Sequence, residues 1–159
     1  MEEILEILEN NSRLKCEDIA VMLGKSVEEV KEAIKKLEDE GVIVGYNTLI
    51  NWEKTNREMV TALIEVKVTP QRGEGFDKVA ERIHRFPEVK ACYLMSGGFD
   101  LTVIVEGKNL KQVASFVAEK LAPLESVLST STHFVLKKYK DDGVIFEKKE
   151  KDDREAIVL

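Results

Sequence analysis

The 159-residue chain reads as an α+β protein in two parts, an N-terminal winged helix-turn-helix followed by a ferredoxin-like βαββαβ domain. Three observations predict this. The first forty residues keep apolar side chains at helical spacing, in three runs broken at Asn10-Asn11 and at Gly24. After Gly41 the pattern turns extended, and a polar stretch at 53–58 separates it from the second part of the chain. From Val60 onward, two-residue alternation and helical periodicity succeed one another in the order strand, helix, strand, strand, helix, strand.

Ile4, Leu5, Ile7 and Leu8 recur at helical spacing, so residues 2–10 form a short helix. Ile19, Ala20, Met22 and Leu23 make a second apolar stripe within 16–23, which Gly24 ends. Ser26-Val27-Glu28-Glu29 fits a capping box, with Ser26 as the cap and Glu29 at the third helical position. Behind it, Val27, Val30, Ile34 and Leu37 keep one helix face apolar until Gly41. Val42-Ile43-Val44, Gly45 and the run from Tyr46 to Trp52 read as a wing hairpin leading into the linker.

In the second part, Val60, Ala62, Ile64, Val66 and Val68 alternate as a half-buried strand closed by Pro70 and Gly73. Phe76, Val79, Ala80 and Ile83 define an amphipathic helix that ends near Phe86-Pro87. Residues 89–95 and 100–106 are strands joined through Ser96-Gly97-Gly98-Phe99, a hairpin turn. Leu110, Val113, Ala114, Val117 and Leu121 give a second helix, and 127–139 a long last strand. The resulting limits are 1–52 for the head, 53–58 for the linker, 59–146 for the βαββαβ domain and 147–159 for a charged tail. The tail's Ile157-Val158-Leu159 could dock on a partner.

Both helices should cover one face of the sheet. Strand alternation assigns Leu63, Leu94, Ile104, Phe134 and Leu136 to the other. An open apolar face predicts a contact surface, most simply between two copies related by a twofold axis.

Composition narrows the function classes. At 43% hydrophobic and 34% charged residues the chain is globular. No apolar run approaches the ~20 residues of a membrane span, and Met1-Glu2-Glu3 is acidic where a signal peptide is basic. A cytoplasmic protein without a membrane partner is expected. Cys16 and Cys92 lack a CxxC or histidine neighbour, so they read as buried thiols and not as a disulfide or zinc site. His84 and His133 have no nucleophile signature beside them and read as solvated or core side chains. No Walker or Rossmann glycine pattern occurs, so neither an enzyme nor a cofactor is indicated. Tyr46 and Trp52 read as packing anchors between the domains.

Three stretches then resemble the Lrp/AsnC (feast/famine) transcription regulators, over about residues 3–146. They are Leu37-Glu-Asp-Glu-Gly-Val-Ile-Val-Gly-Tyr46, Ser96-Gly-Gly-Phe-Asp-Leu101 and Thr130-Ser-Thr-His-Phe-Val-Leu-Lys-Lys-Tyr-Lys140. The resemblance implies a C-terminal domain of the RAM type, which dimerises through its sheet and assembles into tetramers or octamers. It also implies an amino-acid effector bound between subunits near the glycine-rich turn. Carried over by position, Gly97, Gly98, Phe99 and Asp100 are the effector candidates, with Thr130 and Thr132 beside them. The chemistry agrees: backbone N–H groups of a Gly-Gly turn can hold a carboxylate, and Asp100 can pair with an α-ammonium.

For double-stranded DNA the candidates are Ser26 at the helix start and Lys25, Lys31, Lys35 and Lys36. Here the sequence departs from the family, whose members commonly carry adjacent arginines mid-helix; these positions are Glu32 and Ala33. Residues 1–50 hold twelve acids and six bases, which accounts for the whole net charge of −6. DNA-binding modules have the opposite bias, because phosphate contacts dominate their affinity. Three readings therefore stand: an amino-acid-responsive transcription regulator; an oligomeric amino-acid sensor whose acidic helix-turn-helix has lost DNA binding; and an ACT-like regulatory subunit of an enzyme.

Overall fold

The computed structural model describes residues 1–70, 72–73 and 75–147. The chain falls into two compact units, Met1–Ile50 and Asn51–Leu159.

The first unit contains α1 (Glu2–Asn10), α2 (Cys16–Leu23) and α3 (Val27–Asp39). Their facing stripes enclose Ile4, Leu8, Ile19, Ala20, Val30 and Leu37. Gly24 ends α2 in the left-handed region, at φ 62°, a backbone state that costs glycine little. Met22 departs from its expected stripe and is 60% exposed, because Ile19 and Ala20 take the core positions of so short a helix. The wing hairpin is also corrected. Among the described residues no strand forms between 42 and 50, and Val44 is 93% exposed. Instead, Gly41 turns the chain at φ 69°, and the N–H groups of Val42 and Ile43 both donate to Leu37 O, at 2.9 and 3.1 Å. Capping α3 in this way uses donors that a ladder starting at residue 42 would need.

In the second unit, a 3₁₀ turn (Trp52–Lys54) precedes β1 (Val60–Val68), α4 (Asp77–His84), β2 (Val89–Leu94), β3 (Leu101–Gly107), α5 (Leu110–Phe116) and β4 (Val127–Phe134). The antiparallel sheet has the order β2-β3-β1-β4, the ferredoxin-like arrangement. Val79 and Ile83 of α4, and Val113 and Phe116 of α5, bury the sheet face formed by Ala62, Ile64, Val66, Val68, Leu101, Val103 and Val105. Phe86 and Phe116 meet edge to face, with centroids 5.5 Å apart. The expected second helix divides into α5 and a π turn, Val117–Leu121, whose wider closure still buries Leu121.

The expected last strand is shorter than 127–139. After Phe134 only Val135 N still reaches β1, at Thr61 O (2.9 Å). The chain then forms a small hairpin of β5 (Lys140–Asp141) and β6 (Val144–Ile145), turned by Asp142 and Gly143 at φ 46° and 75°.

Register also revises the open face. Leu63 stands opposite both Ile104 and His133, so Leu63 and Ile104 do lie on it. Phe134 stands opposite Ala62 and packs on the helix-covered core, and Leu94 stands opposite Leu101. Leu136 lies past the end of β4 and is 93% exposed. Strand pairing decides which parity faces the helices, and bulges at Val89/Ala91 and Lys67/Val68 shift it within the sheet. The open face is therefore mixed, with a row of Ala91, Ile104, Leu63 and His133 beside a row of Tyr93, Thr102, Glu65 and Ser131.

Candidate DNA helix and effector turn

Ser26 begins α3 with a complete capping box. Its Oγ accepts from Glu29 N at 3.2 Å, while Ser26 N and Oγ both donate to Glu29 Oε2 at 2.8 Å. The backbone N–H of Ser26, then its hydroxyl, hold the Glu29 carboxyl below the usual range. Ser26 is thus engaged in the helix start, where the sequence had offered it to DNA.

Past the cap, helical periodicity turns Val30 and Leu37 inward and leaves Lys31, Glu32, Lys35, Lys36, Glu38 and Asp39 exposed. Lys36 leans along the helix to Glu40 at 3.7 Å. Lys25, in the turn before the cap, is exposed as well. The outward face thus presents lysines among carboxylates. Tyr46, read as an interdomain anchor, donates to Glu38 Oε1 at 2.8 Å within the first unit. Partial burial, and then that bond, push its phenol pKa up. Trp52 takes the Arg57 guanidinium over its ring, 4.5 Å from the centroid, within the second unit.

The glycine-rich turn joins β2 to β3. Met95 N donates to Asp100 O at 2.8 Å and closes the loop. Gly97 adopts φ 148°, which side chains rarely accept. Gly98 has no such constraint, and a Cβ there would meet nothing within 4 Å. Phe99 and Asp100 are half-buried. Asp100 N donates to Val66 O at 3.1 Å, and Asp100 Oδ2 accepts from Val68 N at 2.9 Å. Gly97, Gly98, Phe99 and Asp100 thus come together against the end of β1. Thr130 and Thr132 do not join them directly. They stand opposite Val66 and Ile64 on β4, with β1 between, two strand spacings or roughly 10 Å from β3.

Sequence reasoning missed two features of this unit. Val68 was read only as a core residue, and its amide turns out to be the partner of Asp100. His133 lies on the open face with Nε2 3.3 Å from both Glu65 Oε2 and Ser131 Oγ. The signal for that cluster was alternation alone, Ser131 and His133 two residues apart on a strand. Neither thiol is fully buried. Cys16 and Cys92 are half-buried, and burial pushes the Cys92 thiol pKa up. No helix among the described residues is long and apolar enough to cross a membrane.

Comparison with known proteins meets this geometry in both units. Residues 2–44 match the winged helix-turn-helix DNA-binding family, and residues 61–145 match the Lrp/AsnC ligand binding domain. The chain is 57% identical over 157 residues to the uncharacterized HTH-type transcriptional regulator YugG of Bacillus subtilis, covering 98% of this chain and 94% of that one. It is 30% identical over 137 residues to the HTH-type transcriptional regulator LrpA of Pyrococcus horikoshii, covering 86% and 94%. Among solved structures, the transcriptional regulator NMB0573 of Neisseria meningitidis, in complex with L-Met, superposes with a TM-score of 0.70 at 25% identity, covering 87% of this chain and 89% of that one. Matched in both units and along nearly its whole length, the chain belongs to the Lrp/AsnC family, whose members regulate transcription and are not enzymes.

Proposed function

We propose that the chain binds promoter DNA in the cytoplasm through α3 and responds to an amino acid held at the β2–β3 turn, as a dimer that assembles into a tetramer or octamer. Residues 1–52 would act as the DNA head, 53–58 as the linker and 59–146 as the effector-binding and oligomerising domain. The observation that carries this reading is the presence in one chain of a helix-turn-helix match and a ligand-binding-domain match. The neisserial relative in complex with L-Met supports an amino acid as effector class. Lys31 and Lys35, exposed on α3, are the principal phosphate or base contacts, with Lys25 and Lys36 flanking them and Ser26 setting the helix start. Gly97, Gly98, Phe99 and Asp100 form the effector end, with Thr130 and Thr132 as further candidates on β4, opposite Val66 and Ile64. Effector binding at subunit contacts would favour one assembly over another and so reset the spacing of the DNA heads.

Fluorescence anisotropy of the full chain on the DNA upstream of its own gene, at several salt concentrations and with each of the twenty amino acids, tests both halves. Salt-dependent binding that one amino acid modulates is the expected result. Absence of DNA binding at low salt, with an amino acid still bound, would instead identify an effector sensor. The carboxylates of α3 favour that second reading.

A further inference from the structure

The β2–β3 turn and the end of β1 meet through one side chain. The β1–β3 ladder stops at the pair Val66–Leu101, because beyond it β3 has turned away through Phe99 and the two glycines. Val68 lies two residues further along β1 and is only 5% exposed. Its N–H points to the same side as the Val66 carbonyl, where no strand partner continues. A buried N–H without an acceptor is strongly disfavoured. Asp100 Oδ2 stands where the missing carbonyl would be, 2.9 Å from Val68 N. The same residue's N–H donates to Val66 O at 3.1 Å, and its carbonyl accepts from Met95 N at 2.8 Å. On the opposite edge of β1 the register to β4 shifts between Lys67 and Val68. The regular ladder therefore weakens on both sides of β1 at the point where Asp100 intervenes. Three bonds from one residue tie β1, the end of β2 and the start of β3 together, and set where Gly97 and Gly98 lie.

We infer that Asp100 is a positioning residue: its carboxylate holds the Gly97–Gly98 turn against β1, and it is the turn's backbone N–H groups, preset by this clamp, that receive the effector's carboxylate. The inference rests on the effector reading of this turn and changes the part Asp100 plays in it. A carboxylate committed to Val68 N–H acts on the ligand through the turn, with no need of an ion pair to the ligand's ammonium. The two roles differ chemically. An amide oxygen can accept from Val68 N–H without a charge, whereas an ion pair needs the charge.

The test compares the wild-type chain with Asp100→Asn and Asp100→Ala in two measurements. Amide hydrogen exchange, resolved at Val68 and at residues 95–101, reads the clamp without any ligand. Thermal shift against each of the twenty L-amino acids reads the response. Asp100→Ala should speed exchange at Val68 by roughly ten- to hundredfold, the loss of a bond to a charged acceptor, and abolish the thermal response. Asp100→Asn should hold Val68 exchange near the wild-type rate and keep the response to the same amino acid. Protection and response thus rise and fall together. Unchanged Val68 protection in Asp100→Ala overturns the clamp. Intact protection with a lost response in Asp100→Asn overturns it in favour of a direct ion pair with the ligand. If Asp100→Ala does not fold, Asp100→Asn still separates the clamp from the ion pair, and unprotected exchange at Val68 in the wild type would overturn the clamp. If no amino acid shifts the wild type, the effector reading fails, and Val68 exchange still decides whether Asp100 holds the turn.

Discussion

Ser26 and Glu29 satisfy one another at the start of α3, and the cap has a pH signature. Glu29 titrates below the usual carboxylate range because its charged form accepts from Ser26. A carboxyl depressed in the folded state adds stability that is fully present above its unfolded pKa and lost as pH falls through the folded one. The head should therefore soften on acidification below the ordinary glutamate range, and Glu29→Gln should remove that part of the pH dependence. Circular dichroism melts at stepped pH would show it. Ser26→Ala should cost about 1 kcal/mol, the usual worth of an N-cap hydroxyl, read from urea denaturation. In the other unit Ile64 is wholly buried in the core of β1. Ile64→Ala should cost about 2–5 kcal/mol, from lost transfer energy and the cavity left behind. A loss below about 1 kcal/mol would mean that the sheet core is looser than its burial indicates.

At the scale of the element, α3 is an amphipathic helix whose buried stripe is ordinary and whose outward face is the unusual part. Lys31 and Lys35 project one turn apart, with Glu28 and Glu32 beside them. If this face meets DNA, few phosphates are neutralised and the salt dependence is shallow. Each lysine that touches phosphate contributes about −0.9 to the slope of log affinity against log salt. Lys31→Ala or Lys35→Ala should weaken binding and flatten the slope by about one unit. Glu32→Arg should tighten it, by removing a repulsion and adding a phosphate or guanine partner. Anisotropy titrations of the three variants at several salt concentrations decide the matter. Affinity unchanged in all three would exclude α3 as the contact. The β2–β3 turn makes a complementary prediction. Gly97→Ala should strain the turn, because Gly97 sits at φ 148°, whereas Gly98→Ala should be tolerated in the fold. A thermal melt of each variant distinguishes the two glycines.

At the scale of the molecule, the proposed assembly would rest on the open sheet face. Its apolar centre is Leu63 and Ile104, half-buried and paired with each other across β1 and β3. Around them lie Glu65, Ser131 and His133, so the surface has the apolar centre and polar margin of a protein contact. A second copy stacked here would bury Leu63. Leu63→Glu or Ile104→Glu should then dissociate the assembly, since a charge in that centre is left unpaired. Light scattering of the full chain across micromolar dilution measures this. A wild type that is monomeric at every concentration would remove the oligomer from the proposal.

The sequence alone determined the order and type of α1 to α5 and of β1 to β4, because helical and two-residue periodicity are local properties that survive without tertiary contacts. The capping box at Ser26, the stop at Gly24, the alternation from Val60 to Val68 and the glycine turn at 97–98 were all legible in this way. So was the conflict between an acidic head and DNA, which is a matter of composition. What the tertiary structure decided was everything that depends on pairing. No ladder formed in the wing segment between 42 and 50, where Leu37 O takes the amides of Val42 and Ile43. Phe134 joined the core because β4 pairs with β1 in the register that sets it opposite Ala62. Met22 turned outward because a two-turn helix fills its core positions with Ile19 and Ala20. Asp100 shows the same limit at a site. Its place after two glycines marked it as a candidate ligand contact, and no local pattern showed that its carboxylate accepts from the Val68 amide, 32 residues away in sequence and 2.9 Å away in space. A side chain's residue type tells which partners it can take; only the folded chain determines which of them lies within reach.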